Sequence, residues 1–298
     1  MPNNIRIGHS PDPDDAFLFY AMTQGKIPLD GFSVSHQLEG IEELNQRAIK
    51  GDLEMTAISL HAYPYCADRY VMLTTGASVG EGYGPIVVAR EPLAPEKLRG
   101  MKVAIPGKLT TAALLLRLAL EDAPPFPAAG SRPPRSQLAV GELDLEGVPF
   151  DRIPEAVRAG RVPAGVLIHE GQITYQKMGL KKVLDLGEWW KDRTGLPVPL
   201  GVNVVRRDLG EEPVRRLARL FQKSLEFAFA HRPEALAYAQ AYGRGLDAGL
   251  TDRFVGMYVN RWSLDCRPDG AKAMQRLLDE AAEAKLIPRK VPLDFVEV

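Results

Sequence analysis

One pattern occurs twice in this chain and constrains its fold more than any other feature. It consists of an amphipathic helix, a glycine, and a short apolar strand that ends on a polar side chain. In the first copy, residues 41–50 carry apolar side chains at helical spacing, and Gly51 stands where a helix usually ends. Residues 53–59 then read as a strand that ends on Ser59. A helix followed by a strand in this way is typical of α/β proteins.

The second copy lies in the middle of the chain. Residues 153–159 are predicted as a short helix that ends at Gly160, and the apolar run that follows from residue 164 is predicted as a strand that ends at His169. Such a run is typical of a strand covered on both faces, as in parallel sheets. The polar residue follows the glycine by eight positions in the first copy and by nine in the second. We therefore predict two α/β lobes of similar construction, whose strand ends face a shared ligand cleft.

Chain length and two apolar segments indicate how the lobes connect. A chain of 298 residues is long enough for two domains. Residues 84–90 and 200–206 are predicted to run between the lobes as a pair of strands, which gives a hinge for closure of the cleft. The first lobe is then discontinuous, with residues 1–90 and 200–298, and residues 91–199 form the second lobe.

A proline-rich stretch, about residues 122–147, interrupts the second lobe. Five prolines between positions 124 and 134 exclude regular structure there. We interpret the stretch as a surface insertion, with a mobile lid as the alternative. The C-terminal part of the chain is predicted to be largely helical, in four amphipathic segments at residues 214–230, 233–242, 251–260 and 269–284.

Composition and charge exclude several classes of protein. With 45% hydrophobic and 25% charged residues, the chain has the composition of an ordinary globular protein. Its 37 basic and 38 acidic residues leave a net charge of −1, so charge favours neither nucleic acid nor an anionic membrane as a partner. The N-terminal residues lack the apolar region of a signal peptide, and no segment approaches the roughly 18 apolar residues that span a bilayer. We expect a cytoplasmic protein that binds a small molecule.

The sequence offers no metal-ligand pattern. Cys66 and Cys266 are far apart and have no Cys-x-x-Cys spacing, so they are predicted as small core residues. No metal-ligand spacing relates the four histidines other than His169, which are His9, His36, His61 and His231. His9 precedes a loop and could line the cleft, whereas the other three are predicted at surface or helix positions.

His169 is the first candidate for chemistry. Histidine is the side chain whose ordinary pKa, ~6.5, allows it to exchange a proton near neutral pH. The carboxyl ends of strands in open α/β sheets are where ligands bind, and His169 is predicted at such an end. A role as general base competes with the alternative of a histidine hydrogen-bonded inside the core or at a strand end.

Thr110 and Thr111 are the second candidates. They follow a predicted strand at residues 101–106 and a turn at Gly107, and they open a predicted helix at residues 112–120. Free N–H groups and hydroxyls at a helix start can bind a carboxylate or another anion. The alternative is an ordinary N-cap that satisfies only its own helix.

A third group of polar residues lies at the start of the first predicted helix, which the prolines and aspartates of residues 10–15 can begin and residues 16–22 continue. Asp12, Asp14 and Asp15 lie in the loop Ser10–Asp15, close to the start of this helix. The helix dipole stabilises carboxylates at such a position, so capping explains much of the cluster. A metal site would need further ligands nearby, and the sequence shows none.

Several separated motifs, in this order, resemble one protein family. The motifs are Ser10–Phe17 (Ser-Pro-Asp-Pro-Asp-Asp-Ala-Phe), Gly84–Ala89, Pro106–Thr111, Ile168–Glu170 with Thr174 and Tyr175, Asp185–Trp190, Thr194–Gly201, Tyr258–Asn260 and Ser263–Asp265. Together they resemble the menaquinone-biosynthesis family of the futalosine route, in its 1,4-dihydroxy-6-naphthoate synthase branch. The resemblance extends over nearly the whole chain.

This resemblance implies a two-lobed, type II periplasmic-binding-protein-like fold that serves as a cytoplasmic enzyme. The implied reaction is that of a lyase, which converts cyclic dehypoxanthine futalosine to 1,4-dihydroxy-6-naphthoate, or a dihydroxynaphthoate isomer, and a sugar-derived fragment. Neither a metal nor an organic cofactor is implied. The partner is a small anionic substrate, and the resemblance leaves a homodimer open.

The resemblance also implies roles for individual residues. His169 would be the proton acceptor that starts cleavage of the sugar portion, with Glu170 as its neighbour. Thr110 and Thr111 would bind substrate at the helix start. The remaining implied substrate contacts are Ala57, Ile58, Ser59, Ser10, Asp14 and Tyr175.

The chain departs from the family pattern at the first motif. Members commonly have Ser-Pro-Cys-Pro-Asn-Asp-Thr-Phe where this chain has Ser10–Phe17, and a lysine where it has Ala57. The Asn-to-Asp change at Asp14 and the missing lysine add negative character to a pocket for an anionic substrate.

Two other functions are consistent with the same fold. One is a solute-binding protein that holds a small carboxylate without chemistry, against which the missing export signal counts. The other is a chorismate dehydratase of the same pathway, against which the Ser-Pro-x-Pro-x-Asp loop counts.

Overall fold

A computed structural model of the chain describes residues 4–122 and 143–297. These residues divide into two compact units. Of the described residues, the first contains 4–81, 109–111 and 196–297, and the second contains 82–108, 112–122 and 143–195. No helix among the described residues is both long and apolar enough to cross a membrane.

Eleven strands and twelve α-helices are assigned in the described residues. The strands are β1 (Asn4–His9), β2 (Ser33–Leu38), β3 (Met55–Ser59), β4 (Tyr70–Met72), β5 (Ser78–Gly80), β6 (Ile86–Ala89), β7 (Lys102–Ile105), β8 (Asp144–Gly147), β9 (Ala164–Leu167), β10 (Lys181–Asp185) and β11 (Val198–Arg206). The helices are α1 (Pro13–Thr23), α2 (Ile41–Lys50), α3 (Tyr63–Cys66), α4 (Thr111–Asp122), α5 (Ile153–Arg158), α6 (Gly171–Thr174), α7 (Leu186–Thr194), α8 (Glu211–Ala230), α9 (Arg232–Gln240), α10 (Ala248–Tyr258), α11 (Arg261–Leu264) and α12 (Asp269–Glu283). Short 3₁₀ turns lie at Leu60–Ala62, Pro95–Leu98, Phe150–Arg152, Tyr175–Met178 and Arg207–Leu209.

The two units contain sheets of the same plan. In the first sheet the order is β2-β1-β3-β11-β4, with β1 parallel to β2 and β3, and β11 antiparallel to β3 and β4. In the second the order is β8-β7-β9-β6-β10, with β7 parallel to β8 and β9, and β6 antiparallel to β9 and β10. The prediction of two α/β lobes of similar construction is confirmed.

The two copies of the helix–glycine–strand pattern fold as the sequence predicts. Helix α2 has the predicted bounds, and Gly51 ends it in the left-handed conformation with φ 73°. In the second copy, Gly160 follows α5 and has φ 72°. Each copy also has a glycine in a strand where its helix, α2 or α5, packs closely on the sheet. A Cβ on Gly8 would lie 2.7 Å from Leu44 Cδ2 of α2, and one on Gly165 would lie 2.5 Å from Ile153 Cγ2 of α5.

A buried carboxylate, with two half-buried arginines beside it, joins three neighbouring strands of the first sheet. The side chain of Glu54, just before β3, accepts from Arg6 Nε at 2.9 Å and from Arg6 Nη2 at 2.8 Å. Arg206 Nη1 lies 3.3 Å from Glu54 Oε1, and the Arg206 backbone N–H donates to the Glu54 carbonyl at 2.9 Å. Burial raises the pKa of Glu54, but the donors from Arg6 and the charge of Arg206 bring it below its usual value. The carboxylate is therefore ionised where the three strands meet.

Some predicted elements have different bounds. Helix α1 begins at Pro13, within the loop whose prolines and aspartates the sequence allows to start it, and Asp12 caps it by accepting from the Asp15 N–H at 3.3 Å. Residues 144–147, predicted as part of an irregular insertion, form strand β8 beside β7. This strand is mostly exposed, so its sequence lacks the apolar alternation that identifies a buried strand. Residues 123–142, the rest of the proline-rich stretch, lie outside the described residues.

The two segments predicted as hinge strands lie in different sheets. Strand β6 pairs with β9 and β10 in the second unit, and β11 pairs with β3, β4 and β5 in the first. Residues 82–90, which the sequence assigned to the first lobe, therefore group with the second unit. The hinge itself stays a prediction.

The first unit has a core of aromatic and aliphatic side chains from α1, α8 and α9. Phe19 of α1 stacks on Phe221 of α8 with ring centroids 4.7 Å apart. The buried hydroxyl of Ser224 accepts from the Met22 N–H at 3.2 Å and donates to the Leu18 carbonyl at 3.0 Å. Leu18 and Met22 are four residues apart, so this hydroxyl bridges a donor and an acceptor that a regular helix would join directly.

Ser224→Ala is expected to lower the free energy of unfolding by about 1–3 kcal/mol, because it leaves a buried N–H and a buried C=O without this partner. Urea denaturation followed by circular dichroism measures the change. Ser35→Ala, at an exposed position of β2, is the control and should leave stability within about 0.5 kcal/mol of the wild type. Equal stability of the two variants would contradict the bridging role.

Candidate active site

Ser59 lies at the end of β3 and is held by a buried asparagine from α2. Asn45 Oδ1 accepts from the Ser59 N–H at 2.8 Å, and Asn45 Nδ2 donates to Ser59 Oγ at 3.1 Å. The backbone N–H can only donate, so the orientation of the Asn45 amide is determined. Because Ser59 Oγ accepts from Asn45, its own O–H is directed elsewhere. Ala57, Ile58 and Ser59 are all buried in the first unit.

Thr110 and Thr111 group with the first unit, not with the second as the sequence suggested. The Thr111 hydroxyl donates to the Leu200 carbonyl at 2.6 Å and accepts from the His61 N–H at 3.2 Å. His61 Nδ1 lies 3.2 Å from the Thr110 carbonyl oxygen. Both threonines are buried. Their hydrogen bonds to His61 hold them beside the turn that follows Ser59, in the same unit. A role in substrate binding stays a prediction for all three.

Of the two positions predicted for His61, the helical one is confirmed and the surface one is wrong, because only 4% of this residue is exposed. His61 lies in the 3₁₀ turn after β3, between Leu60 and Ala62, which are also buried. Its ring and backbone are used in hydrogen bonds to the threonine segment, which offset the cost of burying the polar atoms. His36 is half-buried in β2, and His231 is exposed as predicted.

The Ser10–Asp15 loop forms hydrogen bonds within itself. Asp15 Oδ2 accepts from the Ser10 N–H at 2.7 Å, and Ser10, Asp12 and Asp14 are buried. Loss of hydration and the neighbouring Asp14 raise the pKa of Asp15 to about 8, although the Ser10 N–H opposes this shift. Asp15 therefore holds a proton at neutral pH more readily than an ordinary carboxyl group.

Two further side chains hold the same loop. His9 Nδ1 lies 2.9 Å from the Ser10 carbonyl, and His9 Nε2 lies 3.2 Å from His36 Nδ1. Burial lowers the pKa of His9 to about 4, so its ring is neutral at pH 7. Arg244 Nη2 donates to the Pro11 carbonyl at 2.7 Å. The loop backbone is thus supported by groups from β1 and from the connection between α9 and α10.

His169 lies in the second unit, in the turn after β9. The strand ends at Leu167 and not at His169, because its partner β6 starts at Ile86 opposite Leu167 and is preceded by Pro85. His169 has φ 51°, a left-handed conformation that is uncommon for residues other than glycine. The half-buried imidazole and the ring of Phe150 are in a T-shaped arrangement, with centroids 4.6 Å apart and an interplanar angle of 64°.

Residues next to His169 form the start of a short helix. Glu170 is the N-cap of α6, and its carbonyl accepts from the Thr174 hydroxyl at 2.9 Å. The half-buried ring of Tyr175 packs against the core of the second unit, and its hydroxyl accepts from Gln176 Nε2 at 3.2 Å. The contact of Tyr175 with substrate stays a prediction.

The Asp185–Trp190 motif has a structural explanation. Asp185 caps α7 by accepting from the Gly187 and Glu188 N–H groups at 2.9 and 3.0 Å. A Cβ on Gly187 would lie 2.1 Å from the carbonyl carbon of Tyr83, so only glycine fits at this contact. Trp190 is fully buried. The motif therefore holds α7 against the glycine-rich segment before β6.

Comparisons with known proteins identify the family. A family model described as menaquinone biosynthesis matches residues 5–283, nearly the whole chain. The chain belongs to this menaquinone-biosynthesis family.

Two curated relatives align with this chain over nearly its whole length. A protein from Thermus thermophilus named 1,4-dihydroxy-6-naphtoate synthase is 41% identical over 97% of this chain and 98% of its own. A protein of the same name from Streptomyces coelicolor is 36% identical over 97% of both chains. The resemblance stated from the sequence motifs is confirmed.

Solved structures show the fold. Protein AF1704 from Archaeoglobus fulgidus matches with a TM-score of 0.85 and 44% identity, over 96% of this chain and 99% of its own. The alkanesulfonate-binding protein SsuA from Xanthomonas axonopodis pv. citri matches with a TM-score of 0.68 and 15% identity, over 98% of this chain and 96% of its own. This chain thus has the periplasmic-binding-protein-like fold, as predicted.

Sequence reasoning missed four residues that support the candidate site residues. Asn45 holds Ser59, His61 holds the two threonines, Arg244 holds the aspartate loop, and Phe150 contacts His169. A signal exists for Asn45, a polar residue beside the apolar stripe of α2. A histidine within the apolar run from Ala57 to Tyr63 is a similar signal for His61.

Asp15→Asn is expected to stabilise the protein by up to about 5 kcal/mol at pH 8 and by less than about 1 kcal/mol at pH 4. The folded-state pKa of Asp15 is raised to about 8, above the ordinary 3.8 of the unfolded chain, so the wild type loses stability as the pH rises through this window. Asparagine keeps an oxygen that accepts from the Ser10 N–H. Thermal unfolding at both pH values measures the difference. Asp192→Asn, at an exposed position, is the control, and a pH-independent effect of Asp15→Asn would contradict the raised pKa.

Proposed function

We propose that this chain is a cytoplasmic 1,4-dihydroxy-6-naphthoate synthase that acts on cyclic dehypoxanthine futalosine. The observation that carries the proposal is the similarity to two curated enzymes of that name, at 41% and 36% identity over 97% of the chain. The similarity covers 97% of this chain and 97–98% of each relative, so it is not confined to one shared module.

His169 is proposed as the base that takes a proton from the sugar portion of the substrate and so starts its cleavage. An imidazole suits this role because its ordinary pKa lies near neutral pH. The turn after β9 places the ring outside the sheet, and the Phe150 contact restricts its orientation. Orientation matters because a base must be aligned with the bond to the proton that it removes.

Ser59 and the Thr110–Thr111 segment are proposed to bind the substrate through hydrogen bonds to its carboxylate. Ser59 contributes an O–H that is directed away from Asn45, because Asn45 donates to the Ser59 oxygen. The threonine segment contributes N–H groups at the start of α4, and such groups favour anions. The Thr111 hydroxyl is engaged with Leu200 and His61, so its main-chain N–H is the better candidate for contact with the substrate.

The activity is tested by incubating purified protein with cyclic dehypoxanthine futalosine and, separately, with chorismate. His169→Asn and His169→Gln are the variants. Asparagine tolerates the left-handed conformation of His169, so this variant removes the base without adding backbone strain. The wild type should release dihydroxynaphthoate from the first compound only, and kcat should fall about 10²–10⁴-fold in both variants.

His231→Asn is the matched control, because this histidine is exposed at the end of α8 in the first unit. It should retain the wild-type rate. Variants of His169 that match the wild type would exclude the proposed base. Turnover of chorismate alone would identify a chorismate dehydratase, and binding without turnover would identify a solute-binding protein.

Asn45→Asp is expected to raise KM about 10-fold while kcat changes less, as expected for the loss of one hydrogen bond to substrate. The aspartate would still accept from the Ser59 N–H but would also accept from the Ser59 hydroxyl, which turns this O–H away from the substrate. Steady-state kinetics measure the split between KM and kcat.

Gln46→Glu adds the same charge at the neighbouring, exposed position of α2 and is the control. Equal increases of KM in the two variants would assign the effect to charge and contradict the role of the Ser59 hydroxyl.

A further inference from the structure

His61 is a buried imidazole that the family resemblance does not assign to the site. It lies two residues after Ser59, in the 3₁₀ turn that follows β3. The edge of its ring faces the ring of Tyr65, with centroids 6.1 Å apart and an interplanar angle of 69°. A buried polar ring needs hydrogen-bond partners, and its partners show what the residue does.

Both the ring and the backbone of His61 bind the threonine segment. The Thr110 carbonyl can only accept, so Nδ1 of His61 carries the hydrogen in their 3.2 Å contact. The His61 N–H donates to Thr111 Oγ1 at 3.2 Å, and this hydroxyl donates onward to the Leu200 carbonyl at 2.6 Å. One histidine therefore restrains two successive residues.

These contacts close a circuit through two adjacent strands. Leu200 precedes Gly201, which is paired with Ser59 in the β11–β3 ladder. The path runs from Ser59 along the chain to His61, across hydrogen bonds to Thr111 and Leu200, and back through Gly201 to Ser59. A closed path of this kind restricts the distance between Ser59 and the threonine segment more strongly than any single bond.

We propose that His61 is a positioning residue that holds the Thr110–Thr111 segment at the distance from Ser59 that the substrate carboxylate requires. The inference rests on the proposed function of these residues as substrate contacts. Loss of the Nδ1 donor should then weaken substrate binding while the chemical step proceeds nearly unchanged, because His61 itself does not touch the reacting atoms.

The test compares His61→Phe, which keeps a ring but removes the donor, with His61→Asn. The Asn side-chain nitrogen occupies nearly the position of histidine Nδ1, so it can donate to the Thr110 carbonyl. His61→Phe should raise KM about 10-fold with kcat within about 3-fold of the wild type, and His61→Asn should restore KM to within about 3-fold. His61→Leu is a second variant without a donor, for use if the phenylalanine variant does not fold.

His231→Phe is the matched control, because His231 Nδ1 makes a bond of the same kind to the Phe227 carbonyl at 3.0 Å. It should leave KM unchanged. The proposal would be overturned if His61→Phe and His61→Leu kept the wild-type KM. It would also be overturned if KM rose equally in these variants and in His61→Asn.

A second measurement keeps the proposal testable without turnover. Hydrogen exchange of the peptide that contains Thr111 should accelerate in His61→Phe and return to the wild-type rate in His61→Asn. Calorimetric titration with cyclic dehypoxanthine futalosine should show the same order of affinities. If the wild type binds this compound without converting it, the proposed function fails, but a Kd that rises in His61→Phe and recovers in His61→Asn still supports positioning. If the wild type does not bind it, both proposals fail.

Discussion

The buried carboxylate of Glu54 sets the register of the three strands on which the first unit depends. It binds the Arg6 side chain of β1 on one side and lies beside Arg206 of β11 on the other. A one-residue slip of a strand would turn its side chains to the opposite face and would leave this buried charge without its partners. Because Ser59 is at the opposite end of β3, the same register determines which residue of β11 faces it.

The two sheets share one plan but end their central strands differently. In the first unit, β3 is paired with β11 as far as Ser59 and Gly201, so Ser59 remains part of the ladder. In the second, β9 loses its partner after Leu167, and His169 lies beyond the ladder in a turn. A side chain in a ladder has its direction determined by the pleat, whereas one in a turn has its direction determined by backbone dihedrals. One architecture therefore provides both a side chain aligned with the sheet and one outside it.

Much of the fold could be predicted because apolar spacing reports burial. Helix α2 and the four long C-terminal helices follow directly from such spacing. Strand β8 could not be predicted, since it is an edge strand whose exposed residues carry no apolar pattern. The end of β9 depends on Pro85, which belongs to another part of the chain, so local sequence could not place it.

The candidate site was predictable to a lesser degree. The family resemblance named His169 and the threonine pair, but the grouping of Thr110 and Thr111 with the first unit arises from hydrogen bonds to His61 and Leu200. Such bonds join segments far apart in sequence, and no local pattern signals them. Asn45 and His61 were missed for the same reason, because a single polar residue near an apolar stripe does not reveal what it binds.

The left-handed backbone at His169 restricts how this position can change during evolution. Among side chains, Asn and Asp tolerate such a conformation best, together with glycine, which has no Cβ. Single-base changes in a histidine codon give Asn and Asp but not glycine, and neither product has the near-neutral proton affinity of an imidazole. A lineage that loses the histidine can therefore keep a well-folded protein. If His169 is the base, as proposed above, a protein that binds the substrate without transforming it is one mutational step away.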